Sequence, residues 1–201
     1  MKDQWYGDNR DLIKWGGILY LCNTTGIKHV MQVAYYTKSS FPKLRFDRKK
    51  EDIREEVIEH FRDIEDIRQL GKKVGITIEV IKNEFSHSDR DKYNRDICKR
   101  IEKQPQRKIV FLDPDTGLAT QNVKAKHVKP EEVSLIWKAL KPRDFLVLYQ
   151  HKPRMSDRIT EWKNTRRKEL VKALSAKESI IRMWVASEGI KDVVFYYCEK
   201  R

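Results

Sequence analysis

Cysteine, glycine and long apolar runs are all scarce in this chain. Its three cysteines, Cys22, Cys98 and Cys198, are isolated, with no C-x-x-C. An odd, scattered set offers no disulfide framework, so a reducing compartment, the cytoplasm, is the expected setting. Glycine occurs eight times in 201 residues. No G-x-S-x-G and no G-x-x-x-x-G-K appears, which excludes the nucleophile elbow and the common phosphate-cradling loop. No apolar stretch approaches the roughly 18 residues that a spanning helix needs. The opening MKDQWYGDNRD is polar, so neither a membrane segment nor a leader peptide is expected. There is no internal repeat and no Pro/Gly-rich linker, which predicts a single domain over residues 1–201.

What the chain has is positive charge. Lys and Arg outnumber Asp and Glu by 43 to 30, a net +13. An excess of that size favours a polyanionic partner, and nucleic acid is the expected one. The basic residues cluster in PKLRFDRKK (42–50), KAKHVK (124–129), HKPR (151–154) and KNTRRK (163–168). Tyr35, Tyr36, Phe41 and Tyr149 lie near these segments, where aromatic rings can stack on bases. For Tyr35 the pattern favours the core.

Apolar periodicity divides the chain into alternating elements. Residues 10–24 read as a helix with Leu12, Trp15, Leu19 and Cys22 on one stripe. HVMQVAYYT (29–37) reads as a strand and 38–50 as a basic loop. One helix is predicted over 51–70, with Ile53, Val57, Phe61, Ile64 and Ile67 on one face and Gly71 and Gly75 bracketing its end. ITIEVI (76–81) follows as a strand and 88–103 as a polar helix, which Ser88 could cap. Ile109–Asp113 is a buried strand, 130–140 a helix opened by Pro130, 145–151 a strand and 156–175 a basic helix. SIIRMWVA (179–186) and DVVFYYC (192–198) form a hairpin across SEGIK. Strands separated by helices predict an α/β domain with a mostly parallel sheet, helices on both faces and a C-terminal antiparallel hairpin.

In such sheets ligands bind beyond the carboxyl ends of the strands. Asp113, Pro114 and Asp115 end one central strand, and YQHKPR (149–154) ends the next. These segments are expected to face one cleft, with the carboxylates solvated there. Lys152, Arg154 and Arg158 are the candidate phosphate contacts, with Arg154 suited to a bidentate pair and Lys152 to a point charge. Near the N-terminus, Asp11 and Lys14 are neighbours on one helix. Gly16 and Gly17 within that helix each cost about 1 kcal/mol against Ala, so close approach of another group is expected there.

Gly7, Asp8, Asp11 and Lys14 follow the spacing G-[ND]-x-x-D-[VL]-x-K. This resembles the N-terminal motif of the ribosomal RNA adenine methyltransferases of the RlmJ type. In that family a D-P-P-[YF] motif ends the fourth strand, and Asp113-Pro114-Asp115 stands in the matching place. The resemblance implies a Rossmann-like fold, S-adenosylmethionine as cofactor, and Asp113 accepting a hydrogen bond from the amino group of a flipped base. It also implies that Gly7, Asp8, Asp11 and Lys14 shape the cofactor side. Asp115 replaces the second proline, no aromatic follows it, and the first strand ends in VAYYTKSS without a G-x-G loop. The motifs YGD..D..K, DPD.GL and YQH.PR also look like those of a group of small bacterial proteins.

A methyltransferase-like enzyme acting on nucleic acid is therefore the first expectation. The alternative is a metal-dependent nuclease, in which Asp113 and Asp115 bind magnesium or manganese. Gln150 and Lys152 would then form the Q-x-K half of a PD-(D/E)xK-like site. A nucleic-acid-binding protein without catalysis is the third. His87, His127 and His151 have no zinc-like spacing, and no resident metal is expected under the first reading.

Overall fold

The structure is a computed structural model that describes residues 6–37, 40–46, 49–119, 123–124, 126–152 and 159–201. Its centre is a six-stranded sheet in the order β4-β1-β5-β8-β10-β9. The strands are β1 (His29–Val33), β4 (Thr77–Ile81), β5 (Lys108–Leu112), β8 (Phe145–His151), β9 (Arg182–Trp184) and β10 (Val193–Glu199). Parallel pairing joins β4, β1, β5 and β8, and β10 is antiparallel to both β8 and β9. The expected α/β sheet with a terminal antiparallel hairpin is thus present, and β5 and β8 are parallel neighbours as predicted.

Strand side chains alternate between two cores, the period-2 consequence of the pleat. Val110, Leu112, Leu146, Leu148, Val194 and Tyr196 face one side. There they meet α4 (Arg90–Lys103), α5 (Pro130–Ala139) and α6 (Ile159–Leu174). Ile109, Phe111, Phe145, Val147, Tyr149 and Phe195 face the other, against α1 (Asn9–Thr25) and α3 (Ile67–Val74). β5 is buried along its whole length, as a central strand covered on both faces must be.

Local chemistry sets the helix ends. Asp8 caps α1 by accepting from the amides of Arg10 and Asp11, and Gly26 closes it at φ 70°. Pro130 opens α5, where Glu132 accepts from the Lys129 amide at 2.7 Å. The same carboxylate holds Arg90, the first residue of α4, through two 2.6 Å bonds, which ties the two helix starts together. Ser88 is bonded to Ser86 and does not cap α4.

The 51–70 helix is not continuous. β2 (Leu44–Phe46) and β3 (Lys49–Glu51) pair as an antiparallel ribbon inside the expected loop and the predicted helix start. α2 (Glu55–Arg62) follows, the chain extends at Asp63, and a short 3-10 turn leads into α3. Ile64 and Ile67 reach the core, whereas Val57 and Phe61 stay exposed. The apolar stripe is divided among the segment before α2, α2 itself, the 3-10 turn and α3, and only its last part, Ile64 and Ile67, has a surface to cover.

β9 is shorter than its apolar run suggests, because residues 178–180 form a 3-10 turn. β6 (Gly117–Leu118) and β7 (His127–Val128) make a small parallel pair beyond β5. No helix among the described residues is long and apolar enough to cross a membrane.

Candidate functional site

The N-terminal motif and the Asp-Pro motif converge beyond the carboxyl end of β5. Lys14 on α1 donates to Asp11 Oδ1 at 2.6 Å and to Asp113 Oδ2 at 2.9 Å, across 99 residues of sequence. Gln32 on β1 donates to the same Asp113 oxygen at 2.8 Å. The amide of Gly7 donates to Asp11 Oδ2 at 2.7 Å. The Lys14 ammonium also lies 5.6 Å from the Tyr149 ring centre and 5.8 Å from that of Phe111.

This cluster corrects the expectation of a solvated carboxylate. Asp113 is 2% exposed, Lys14 4% and Asp11 7%. The helix is phased with this pair inward: Asp11, Lys14, Trp15, Ile18, Leu21 and Cys22 are buried, while Leu12 is 69% exposed. Asp11 and Lys14 are therefore no surface pair. Burial lowers the affinity of Lys14 for its proton, but the charges of Asp113 and Asp11 outweigh it, and its pKa is raised. At Asp113 burial wins: desolvation, with the Asp11 charge added, raises the carboxyl against the opposing pull of Lys14. The physical cause is one ammonium shared by two buried carboxylates.

Pro114 is buried and Asp115 is half-buried. Gln150, 3% exposed, clamps the loop after β5: it accepts from the Leu118 amide at 2.8 Å and donates to the Thr116 carbonyl at 2.9 Å. Gly117, at φ 98°, lies so close to this side chain that a Cβ would overlap it. Gln150 is thus a loop clamp, turned away from the role a Q-x-K half-site would give it. Among the described residues no three His, Cys, Asp or Glu side chains form a metal-binding group.

The end of β1, where S-adenosylmethionine would need an open backbone, is filled. The Ala34 amide bonds the Ile81 carbonyl at 3.2 Å, Tyr36 bridges to Glu84, and the Phe85 amide bonds the Tyr36 carbonyl at 2.7 Å. Tyr35 adopts φ 44°, and its amide donates to the Tyr93 hydroxyl. Its ring, 1% exposed, packs against Phe85 and Tyr93. A bulky residue in the left-handed region is held by such packing, and no glycine opens a cradle there. The residues present at this strand end do not fit the methionine part of the cofactor. Tyr35 and Tyr149, both buried, are likewise core residues rather than stacking platforms.

A second feature lies beside the cluster. Asn9, Arg10, Lys152, Gly189, Ile190, Lys191 and Asp192 line a cavity of about 380 Å³. It is built by the first turn of α1, the residue after β8 and the loop before β10. Asp192 organises it. Its carboxylate pairs with Arg10 and lies 3.1 Å from His151 Nε2, and its carbonyl accepts from the Lys152 amide at 2.7 Å. Burial alone would raise the Asp192 carboxyl, but the Arg10 hydrogen bond and the Arg10 and His151 charges hold it below the usual range. Asp8 braces Arg10 from the other side. Lys152 is the one predicted phosphate contact that the structure describes; Arg154 and Arg158 lie outside the described residues.

Sequence reasoning missed Gln32, Arg10, Lys191 and Asp192. Gln32 had a readable signal, a polar side chain within the apolar run HVMQV. The other three carry none, because their meeting depends on the hairpin folding back to α1. No protein-family model matches the chain, and no curated protein matches its sequence.

Proposed function

We propose that the protein binds nucleic acid on a Rossmann-like, methyltransferase-like frame, with phosphate held in the Arg10–Lys152–Lys191 cavity. The observation that carries this reading is the cavity itself. Three cationic residues from three separate segments line it, with Arg10 held between Asp8 and Asp192, at the strand ends where ligands of parallel sheets bind. The net charge of +13 supplies long-range attraction. Asp11, Lys14 and Asp113 act here as a buried anchor that fixes α1, and with it Arg10, over the sheet.

A second reading, an S-adenosylmethionine-dependent methyltransferase, is favoured by the convergence of Asp11 and Lys14 with Asp113. It requires the Tyr35 segment to open. No observation favours the magnesium or manganese nuclease, since Asp113 and Gln150 are both engaged internally.

The test measures binding of labelled DNA and RNA to the full chain across a range of salt concentrations. Wild type is expected to bind, and Lys152→Ala/Lys191→Ala to bind more weakly at every sequence. The slope of log affinity against log salt should fall by roughly 2 in magnitude on duplex DNA, near 0.9 per lost contact. An unchanged slope in a folded variant rejects the cavity. Addition of S-adenosylmethionine is expected to leave the melting temperature unchanged; a ligand-dependent rise would instate the second reading.

A further inference from the structure

His151 is the last residue of β8, and its antiparallel partner on β10 is Val193. That register sets Asp192 beside the strand end, where its carbonyl accepts from the Lys152 amide at 2.7 Å. The imidazole lies between two oxygens. Its Nδ1 is 2.8 Å from the Lys152 carbonyl oxygen, and its Nε2 is 3.1 Å from Asp192 Oδ2. Arg10 donates to the same Asp192 oxygen, as suits an ionised carboxylate.

A carbonyl and a carboxylate can only accept. Neutral imidazole has one N–H, so it satisfies one of these oxygens and turns a lone pair on the other. Imidazolium donates to both. The arrangement is therefore that of the cation. The charged and titratable groups around the ring come from four elements. The first turn of α1 brings Arg10, with Asp8 behind it, and the loop before β10 brings Lys191 and Asp192. β8 brings Tyr149 and runs on into Lys152. The loop after β5 brings Asp115, followed by Thr116, whose carbonyl accepts from the His151 amide at 3.1 Å.

Loss of the His151 proton acts twice in one direction. It removes a positive charge from beside the cavity, and it takes a cationic partner from Asp192. Asp192 is the one acidic residue lining the cavity among those described, and Lys152 and Lys191 line it too. A carboxylate released by His151 competes with a phosphate for these two lysines.

We infer that protonation of His151 controls phosphate binding in the cavity: the imidazolium holds Asp192 and admits the anion, and the neutral ring releases Asp192 and weakens binding. The inference rests on the nucleic-acid reading above and assigns its regulation. Binding takes up a proton wherever the free protein has lost it, so affinity falls as pH rises through the range in which histidines titrate.

The experiment compares wild type, His151→Gln, Asp192→Asn and K152A/K191A on a rhodamine-labelled 20-base-pair DNA duplex at fixed salt, between about pH 5.5 and pH 8. Phosphodiesters keep their charge throughout, and the other histidines titrate in every variant. Gln can still donate to Asp192 but carries no charge. The loss of wild-type affinity from the acid to the alkaline end should exceed that of His151→Gln by roughly 10-fold, the effect of one unit charge beside a partly exposed site. Asp192→Asn should bind at the alkaline end as tightly as wild type at the acid end, with the shallow profile of His151→Gln. Nitrogen-15 shifts of the His151 ring in unliganded wild type count its protons without any variant, and at the acid end both nitrogens should be protonated. A neutral ring there would overturn the inference. Parallel pH profiles for wild type and folded His151→Gln, with K152A/K191A still weakened, would also overturn it and leave the cavity standing. Binding of the duplex by wild type at no pH would remove the nucleic-acid reading and this control with it.

Discussion

Two adjacent glycines separate two different costs. Gly17 faces the hairpin, where an added Cβ would overlap the Trp184 indole. That indole cannot easily retreat, because it is stacked on Phe195 at 4.8 Å and 6°. Gly16 meets nothing within 4 Å. The close approach expected for both is therefore real only at Gly17. Gly17→Ala should destabilise by roughly 1–3 kcal/mol through overpacking, while Gly16→Ala should stabilise by up to about 1 kcal/mol through helix propensity. Urea unfolding of the two single variants measures both signs, and equal shifts would show that Trp184 does not set the constraint.

At the scale of elements, the segment from β2 to α2 and the sheet differ in kind. β5 is buried from Lys108 to Leu112 and hydrogen-bonded to strands on both sides. β3 is exposed along its length, and no residue of α2 is buried. Opening free energy follows burial and contact density. Amides of β2, β3 and α2 should exchange with solvent at least about 1,000-fold faster than those of β5, a gap of about 4 kcal/mol in opening free energy. Hydrogen-exchange mass spectrometry reads this directly. Comparable protection in the two regions would mean that the β2-to-α2 segment is held as firmly as the central strand.

For the whole molecule, the Asp11–Lys14–Asp113 cluster joins the first helix to the centre of the sheet, and its charges are out of water. Removing the ammonium leaves two buried carboxylates facing each other, so Lys14→Met should destabilise by roughly 3–5 kcal/mol at pH 7. The pH dependence follows from the raised Lys14 pKa. The folded state holds this proton more tightly than the unfolded chain, whose lysines titrate near ~10.4. The contribution is complete below that value and is lost as pH rises through the folded-state pKa. Wild-type stability should therefore fall more steeply above about pH 10.4 than that of Lys14→Met. Burial raises the Tyr6 and Tyr149 hydroxyls and the Lys14 charge opposes it, so both proteins carry Tyr6→Phe and Tyr149→Phe to keep these groups out of the comparison. Parallel alkaline limbs would show that Lys14 is not held as a cation in the core.

Much of the architecture was legible because local pattern is enough for it. Continuous apolar runs at 109–112 and 145–149 mark strands covered on both faces, Pro130 and Gly75 mark helix ends, and the short SEGIK connection marks the hairpin. Three things depended on the third dimension. The phase of α1 did: its apolar residues suggest one stripe, but Asp113, distant in sequence, draws Lys14 inward and turns Leu12 out. The break at Asp63 did too, since Val57 and Phe61 continue the helical period and only the absence of a surface to cover leaves them exposed. The cavity is the third case. Composition supplies its charge, but Arg10, Lys152, Lys191 and Asp192 meet only when the C-terminal hairpin returns to the first turn of α1. Periodicity reports what a residue does for its own element. Which carboxylate a lysine neutralises is settled by long-range packing, where the energy of a buried charge outweighs local preference.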